Sequence, residues 1–98
     1  MPDSDNRKHK KRTSILKQLM AKYEWVAIVK PTCPYSIRFM EEAKNKDYDC
    51  YLLKINDTKG SLMNALNDMY NTNTFTVPRI IHRTELIGGW SDYYERYN

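Results

Sequence analysis

The 98-residue sequence is poor in cysteine and glycine, with two of the first and three of the second. Two cysteines, Cys33 and Cys50, cannot build the dense disulfide framework of a small secreted domain, although spacing alone leaves a Cys33–Cys50 bridge open. Long hydrophobic runs are missing too. The longest, Trp25 to Val29, is far short of the ~20 apolar residues that a membrane-spanning helix needs. The N-terminus has no apolar stretch of the secretory kind. A cytoplasmic setting without membrane association is the resulting expectation. No segment of the chain repeats.

Charge is nearly balanced outside the first thirteen residues. The net charge of +4 is concentrated there, where Arg7, Lys8, Lys10, Lys11 and Arg12 face only Asp3 and Asp5. A run such as RKHKKR can meet nucleic acid, act as a nuclear address or touch an anionic membrane. The plainer expectation is a disordered, solvated tail over residues 1–12, with one folded domain over 13–98 and no nucleic-acid partner.

What is present suits that single domain. Apolar residues make up 41% and charged residues 29%, as in ordinary globular chains. Thr13 or Ser14 can cap a helix over 14–23, whose apolar residues Ile15, Leu16, Leu19, Met20 and Tyr23 recur at helical spacing. The run WVAIV at 25–29 reads as a strand buried on both faces, hence central. Pro34 opens a helix to about residue 46, with Ile37, Phe39, Met40 and Ala43 on its apolar face. A strand follows from Cys50 to Ile55, and then a helix capped by Asp57, with Gly60 weakening its first turn. VPRIIH at 77–82 is a strand with proline at its start. Arg83 and Thr84 turn the chain into a short hairpin partner, Gly88 and Gly89 break it, and Ser91 caps a closing helix. Tyr93, Tyr94 and Tyr97 fit one side of that helix. Strands alternating with helices predict an α/β sandwich, with the first two strands parallel and the hairpin antiparallel.

The chemistry centres on Cys33, set before Pro34 where a buried strand turns into a helix. Free N–H groups and the positive end of the helix dipole favour an anion there. Such a cysteine has a lowered pKa, and the thiolate is the nucleophile. Lys30 and Arg38 add positive charge nearby. Ser36, three residues on, shares the helix face with Cys33. It cannot form a disulfide, but its hydroxyl can donate to the thiolate. Cys50, in a strand, reads as a buried inert thiol.

KPTCPYS at 30–36, TVP at 76–78 and IGGWSD at 87–92 together resemble the three signature segments of glutaredoxins, and the element order from about residue 14 to 98 is similar to that family's. The resemblance implies a thioredoxin-like fold, a small central mixed sheet of about four strands flanked by helices, with glutathione as cosubstrate and no metal. It implies Cys33 as the nucleophile, with Ser36 in the place of the second motif cysteine. It assigns Lys30 to the glycine carboxylate of glutathione and Tyr35 to the groove wall. Thr76 and Val77 flank a cis-Pro78, and the Val77 backbone pairs with the peptide in strand-like fashion. Gly89 makes room for the tripeptide, while Ser91 and Asp92 receive its γ-glutamyl end. Trp90, where the family often has cysteine, is bulky enough to cover the site, and Phe75 stands where arginine is common. Asn64 is a further candidate for a glutathione contact.

The activity implied is reduction of glutathione mixed disulfides, on glutathionylated proteins or small disulfides, by a monomer using Cys33 alone. Two other classes stay open. One is an iron–sulfur carrier using Cys33 and glutathione across a dimer, which Pro34 is expected to hinder. The other is a nonenzymatic thioredoxin-fold binding module with a basic arm.

Overall fold

A computed structural model describes the backbone of residues 3–98 and the side chains of residues 11–98. Its organising strand is β1 (Trp25–Val29), all five residues of which are buried. β1 pairs in parallel with β2 (Cys50–Lys54) and antiparallel with β3 (Arg79–His82). β3 in turn pairs antiparallel with β4 (Glu85–Gly88), giving the order β2-β1-β3-β4. Arg83 and Thr84 form the β3–β4 turn with φ of 48° and 70°, and positive φ at both positions matches the twist of a tight hairpin.

Each face of the sheet carries two helices, which is why β1 is apolar at every position. α1 (Asp3–Lys22) and α3 (Ser61–Tyr70) cover one face, where Leu16, Met63 and Leu66 join Val26, Ile28 and Ile81 in one core. α2 (Pro34–Asn45) and α4 (Trp90–Tyr97) cover the other, where Phe39, Ala43 and Tyr93 join Trp25, Ala27, Val29 and Ile80. The residues of β1 thus alternate between two cores with the period of a strand. This is the mixed four-strand, thioredoxin-like sheet that the sequence predicts.

Several boundaries differ from expectation. The helix expected over 14–23 is the C-terminal part of α1, whose helical backbone begins at Asp3 and overlaps the expected tail. Neither proline nor glycine interrupts Asp3 to Lys22, so an existing helix can propagate through polar residues once its apolar end is docked. Arg12 even reaches the fold, its Nε donating to Ser61 Oγ at 3.3 Å. Asp57 does not cap α3. Its carboxylate accepts from the Lys59 N–H at 2.9 Å in a local turn, and Gly60 is the N-cap. On α2, Ile37 faces solvent and the buried residues are Ser36, Phe39 and Ala43. On α4, Tyr93 is buried but Tyr94 is exposed, so the tyrosines do not share one side.

The loop between α3 and β3 is held by a buried amide. Asn67 Nδ2 donates to the Thr74 carbonyl at 3.0 Å, and its Oδ1 accepts from Thr72 Oγ1 at 2.8 Å and the Thr74 N–H at 3.1 Å. A buried amide satisfied this fully fixes the backbone it bonds, and that backbone leads directly into Thr76–Val77–Pro78.

Candidate active site

Three segments meet where β1 ends and β3 begins, side by side in the antiparallel pair. β1 stops at Val29, and the chain turns so that the Cys33 N–H donates to the Lys30 carbonyl at 2.9 Å. Cys33 is then the N-cap of α2, with extended backbone (φ −87°, ψ 126°) and Pro34 following at the helix start. The first N–H groups of α2 have no carbonyl of their own helix to bond, and they serve the thiol. Cys33 is held below the ordinary thiol range, chiefly by the Ser36 backbone N–H. The Tyr35 N–H, the Ser36 hydroxyl and the Lys30 charge pull the same way, while partial burial opposes them.

Ser36 is fully buried. Its Oγ accepts from the Lys30 N–H at 3.1 Å, so one hydroxyl joins the end of β1 to the thiolate. Arg38, expected to help charge the site, instead lies over the exposed Tyr35 ring, 5.5 Å from its centroid. That exposure also removes Tyr35 from the core.

The second segment faces the first. The Val77–Pro78 peptide is cis, as expected, and the Cys33 thiol lies 3.8 Å from the Val77 carbonyl oxygen, to which it can donate. Pro78 is buried, Val77 half-buried and Thr76 exposed.

The third segment is the start of α4. Gly89, not Ser91, is the N-cap, and the Asp92 carboxylate reaches back to accept from the Gly89 N–H at 2.9 Å. The stricter steric demand falls on Gly88 rather than Gly89. Gly88 has φ +124°, and a Cβ there would overlap the Asp92 carboxylate. A Cβ on Gly89 would only touch the Pro78 carbonyl oxygen at an ordinary 3.7 Å. Ser91 and Asp92 are exposed beside it. Trp90 is half-buried and packs back on its own helix, its ring centroid 5.6 Å from Tyr93 and 5.8 Å from Tyr94.

Cys33, Ser36, Lys30 and the Val77–Pro78 turn are thus brought together, with Gly89 and Asp92 adjoining through Pro78. Asn64 is exposed on α3. Cys50 is free and half-buried in edge strand β2. Burial pushes its thiol up to about 12, and Asp49 adds to the rise. It is therefore protonated at neutral pH, and its shift runs opposite to that of Cys33. A surface hollow of about 830 Å³ between α1 and α3, lined by residues such as Lys17, Gln18 and Met69, lies apart from this chemistry. Asn67, whose amide holds the loop through Thr72 and Thr74, and the buried Arg79 at the start of β3 were not singled out by the sequence, which does not mark either as buried.

No protein-family model and no curated protein matches the chain. Its likeness is to solved structures. Reduced glutaredoxin C1 of Populus tremula x tremuloides has 18% identity and a TM-score of 0.80, over 99% of this chain and 81% of that one. The buckwheat glutaredoxin–glutathione complex has 19% identity and a TM-score of 0.73, over 93% and 83%. Reduced glutaredoxin of Escherichia coli has 25% identity and a TM-score of 0.56, over 74% and 89%. The fold is that of the glutaredoxins. Within the glutaredoxin fold, Cys33 stands at the helix start that faces the cis-proline turn.

The Ser36 hydroxyl gives a direct test of this electrostatic account. In Ser36→Ala, the pH midpoint of Cys33 thiolate absorbance should rise, since a thiolate-stabilising donor is gone. Stability should fall by about 1–3 kcal/mol, because the Lys30 N–H loses its acceptor. An unchanged midpoint would mean that the hydroxyl does not touch the thiolate.

Proposed function

We propose that the chain is a glutathione-dependent thiol–disulfide oxidoreductase that reduces glutathione mixed disulfides through Cys33 alone. The observation that carries this reading is the Cys33 thiol itself. It is held below the ordinary thiol range at the start of α2, beside the Val77 carbonyl, with serine at position 36. The buckwheat glutaredoxin solved with glutathione supports the choice of cosubstrate.

In the proposed reaction the Cys33 thiolate attacks the glutathione sulfur of a mixed disulfide. A Cys33–glutathione disulfide forms, the original S–S bond breaks, and the target thiolate leaves and is protonated by solvent. A second glutathione thiolate then attacks the glutathione sulfur on Cys33, releasing oxidised glutathione and the Cys33 thiolate. The α2 N–H groups stabilise that thiolate both before attack and as it leaves. Lys30 would meet the glycine carboxylate, with Tyr35 and Trp90 flanking the groove. Thr76, Val77 and Pro78 would hold the peptide backbone, while Gly89, Ser91 and Asp92 would receive the γ-glutamyl end. Glutathionylated proteins or small disulfides are the substrates, a monomer suffices, and a reducing cytoplasmic setting suits the chemistry.

Turnover of a glutathionylated peptide tests this, with glutathione as the electron donor. The peptide thiol should be released catalytically, at a rate that rises with glutathione concentration. Reduction of a protein disulfide with equal efficiency in the absence of glutathione would reject the single-thiol route.

A further inference from the structure

α1 carries the positive charge of the molecule. It holds seven lysine and arginine residues against Asp3 and Asp5, a net +5, while the rest of the chain sums to −1. From Asn6 to Tyr23 there is no acidic residue. The basic run expected as a tail lies instead on one continuous helix of 20 residues, about 30 Å long.

One side of this helix is left free. Leu16 is fully buried, and Leu19 and Met20 pack beside it on the core. Lys11, Ser14, Gln18 and Lys22 are exposed, and their spacing of three and four residues sets them together on the opposite side. The same period, continued along the helical backbone, brings positions 7 and 10 into this stripe. Lys17 flanks it, beside Asp68 in the hollow between α1 and α3.

The N-terminal half of α1 reaches the end of the sheet that carries Cys33. Arg12 bonds Ser61, the first residue of α3. α3 follows β2, which runs parallel to β1 and ends beside it, the Ile55 N–H donating to the Val29 carbonyl at 2.9 Å. Residues before Arg12 therefore extend α1 past that end.

The composition of the stripe selects its partner. α1 has no apolar residue before Ile15, and its larger apolar side chains beyond that point belong to the core. A helix that lies on a membrane needs an apolar side to bury, and a protein interface needs apolar or aromatic anchors at its centre. The stripe offers Lys and Arg interspersed with Ser14 and Gln18, the side chains that bond phosphate oxygens.

We propose that the outward side of α1 is a nucleic-acid-binding surface, which grips the phosphate backbone without reading base sequence and holds the Cys33 end of the protein beside it. The proposal stands apart from the glutathione reading, and binding alone tests it.

The probe is a fluorescein-labelled DNA duplex of about 20 base pairs and arbitrary sequence, titrated with the full chain and followed by anisotropy. With about three to five phosphates engaged, raising salt from about 50 to 200 mM should weaken binding about 40- to 500-fold. Two charge-reversed pairs then separate the stripe from net charge, since each brings the chain from +4 to zero. Arg7→Glu with Lys11→Glu should weaken binding at least about 20-fold at the lower salt. Lys44→Glu with Arg83→Glu, on α2 and in the β3–β4 turn, should weaken it less than about threefold. Thermal unfolding checks that both pairs fold, and if either does not, glutamine at the same positions decides, with at least about fivefold expected for the stripe alone. No binding at the lower salt, binding insensitive to salt, or equal weakening by the two pairs would overturn the proposal. So would tighter binding to vesicles containing phosphatidylserine than to the duplex, which would assign the stripe to a membrane surface.

Discussion

Cys33→Ser is expected to reduce turnover of a glutathionylated peptide to background, a loss of about three orders of magnitude or more. A serine hydroxyl stays protonated where the Cys33 thiol ionises, and oxygen is a poor nucleophile toward a disulfide. Cys50→Ser should keep turnover within about twofold, since a half-buried, protonated thiol on an edge strand offers no nucleophile. The pH dependence has a definite sign. Cys33 is held below the ordinary thiol range, so its reactivity should be half-maximal below that range and fall as pH drops through the folded-state value. Folding follows the same linkage. The stability contributed by this depressed pKa is present above the unfolded thiol's value and is lost as pH falls through the folded one. Steady-state assays across pH check both statements, and equal losses from the two cysteine variants would refute the assignment.

Tyr93→Ala is expected to have the largest effect on stability. Tyr93 is completely buried, with Phe39 and Trp25 meeting it edge-on at 5.2 and 5.7 Å and Tyr97 stacked at 5.3 Å. Its hydroxyl donates to Glu42 Oε2 at 2.9 Å. A phenol has one proton to give, so in the 2.6 Å contact between the Tyr48 and Tyr93 hydroxyls Tyr48 is the donor. α4 is only eight residues long, and a helix this short does not persist without docking. Truncating its one buried side chain should cost about 3–5 kcal/mol and lower Tm by more than about 12 °C. Tyr93→Phe keeps the ring and should cost about 1–3 kcal/mol, through the partners left unbonded. Because α4 carries the Gly89–Asp92 cap, Tyr93→Ala should also weaken glutathione-dependent turnover in the fraction that remains folded. Thermal unfolding measures the first effect, and a loss under about 1 kcal/mol would show that α4 is held by other contacts.

The sequence made legible what depends on neighbours along the chain. WVAIV had to be a central strand, Pro34 had to start a helix, and a cysteine between them had to meet the helix N-terminus. The type of turn at Arg83–Thr84 was less visible, since neither residue is glycine or asparagine, yet both take positive φ. Capping was misread at Asp57 and Ser91, because a glycine without a side-chain cap took the N-cap position in each helix. The start of α1 was missed because polarity masks periodicity without stopping a helix. The Gly88–Gly89 pair announced a tight approach, but only the fold shows that Gly88 bears it. Asn67 bonds only as far as Thr72 and Thr74, but nothing in the sequence marks it as buried, and the burial of Arg79 comes from the fold alone.

The central claim, one nucleophilic cysteine that accepts the glutathione half of a mixed disulfide, is tested most directly by intact-protein mass after reaction with a glutathionylated peptide. The reduced protein is mixed with the peptide without free glutathione, quenched with acid and mapped by fragmentation. The account predicts one glutathionyl group per chain, located on Cys33, with the peptide released as its thiol. A peptide adduct on Cys33, a glutathionyl group on Cys50, or no adduct at all would contradict it.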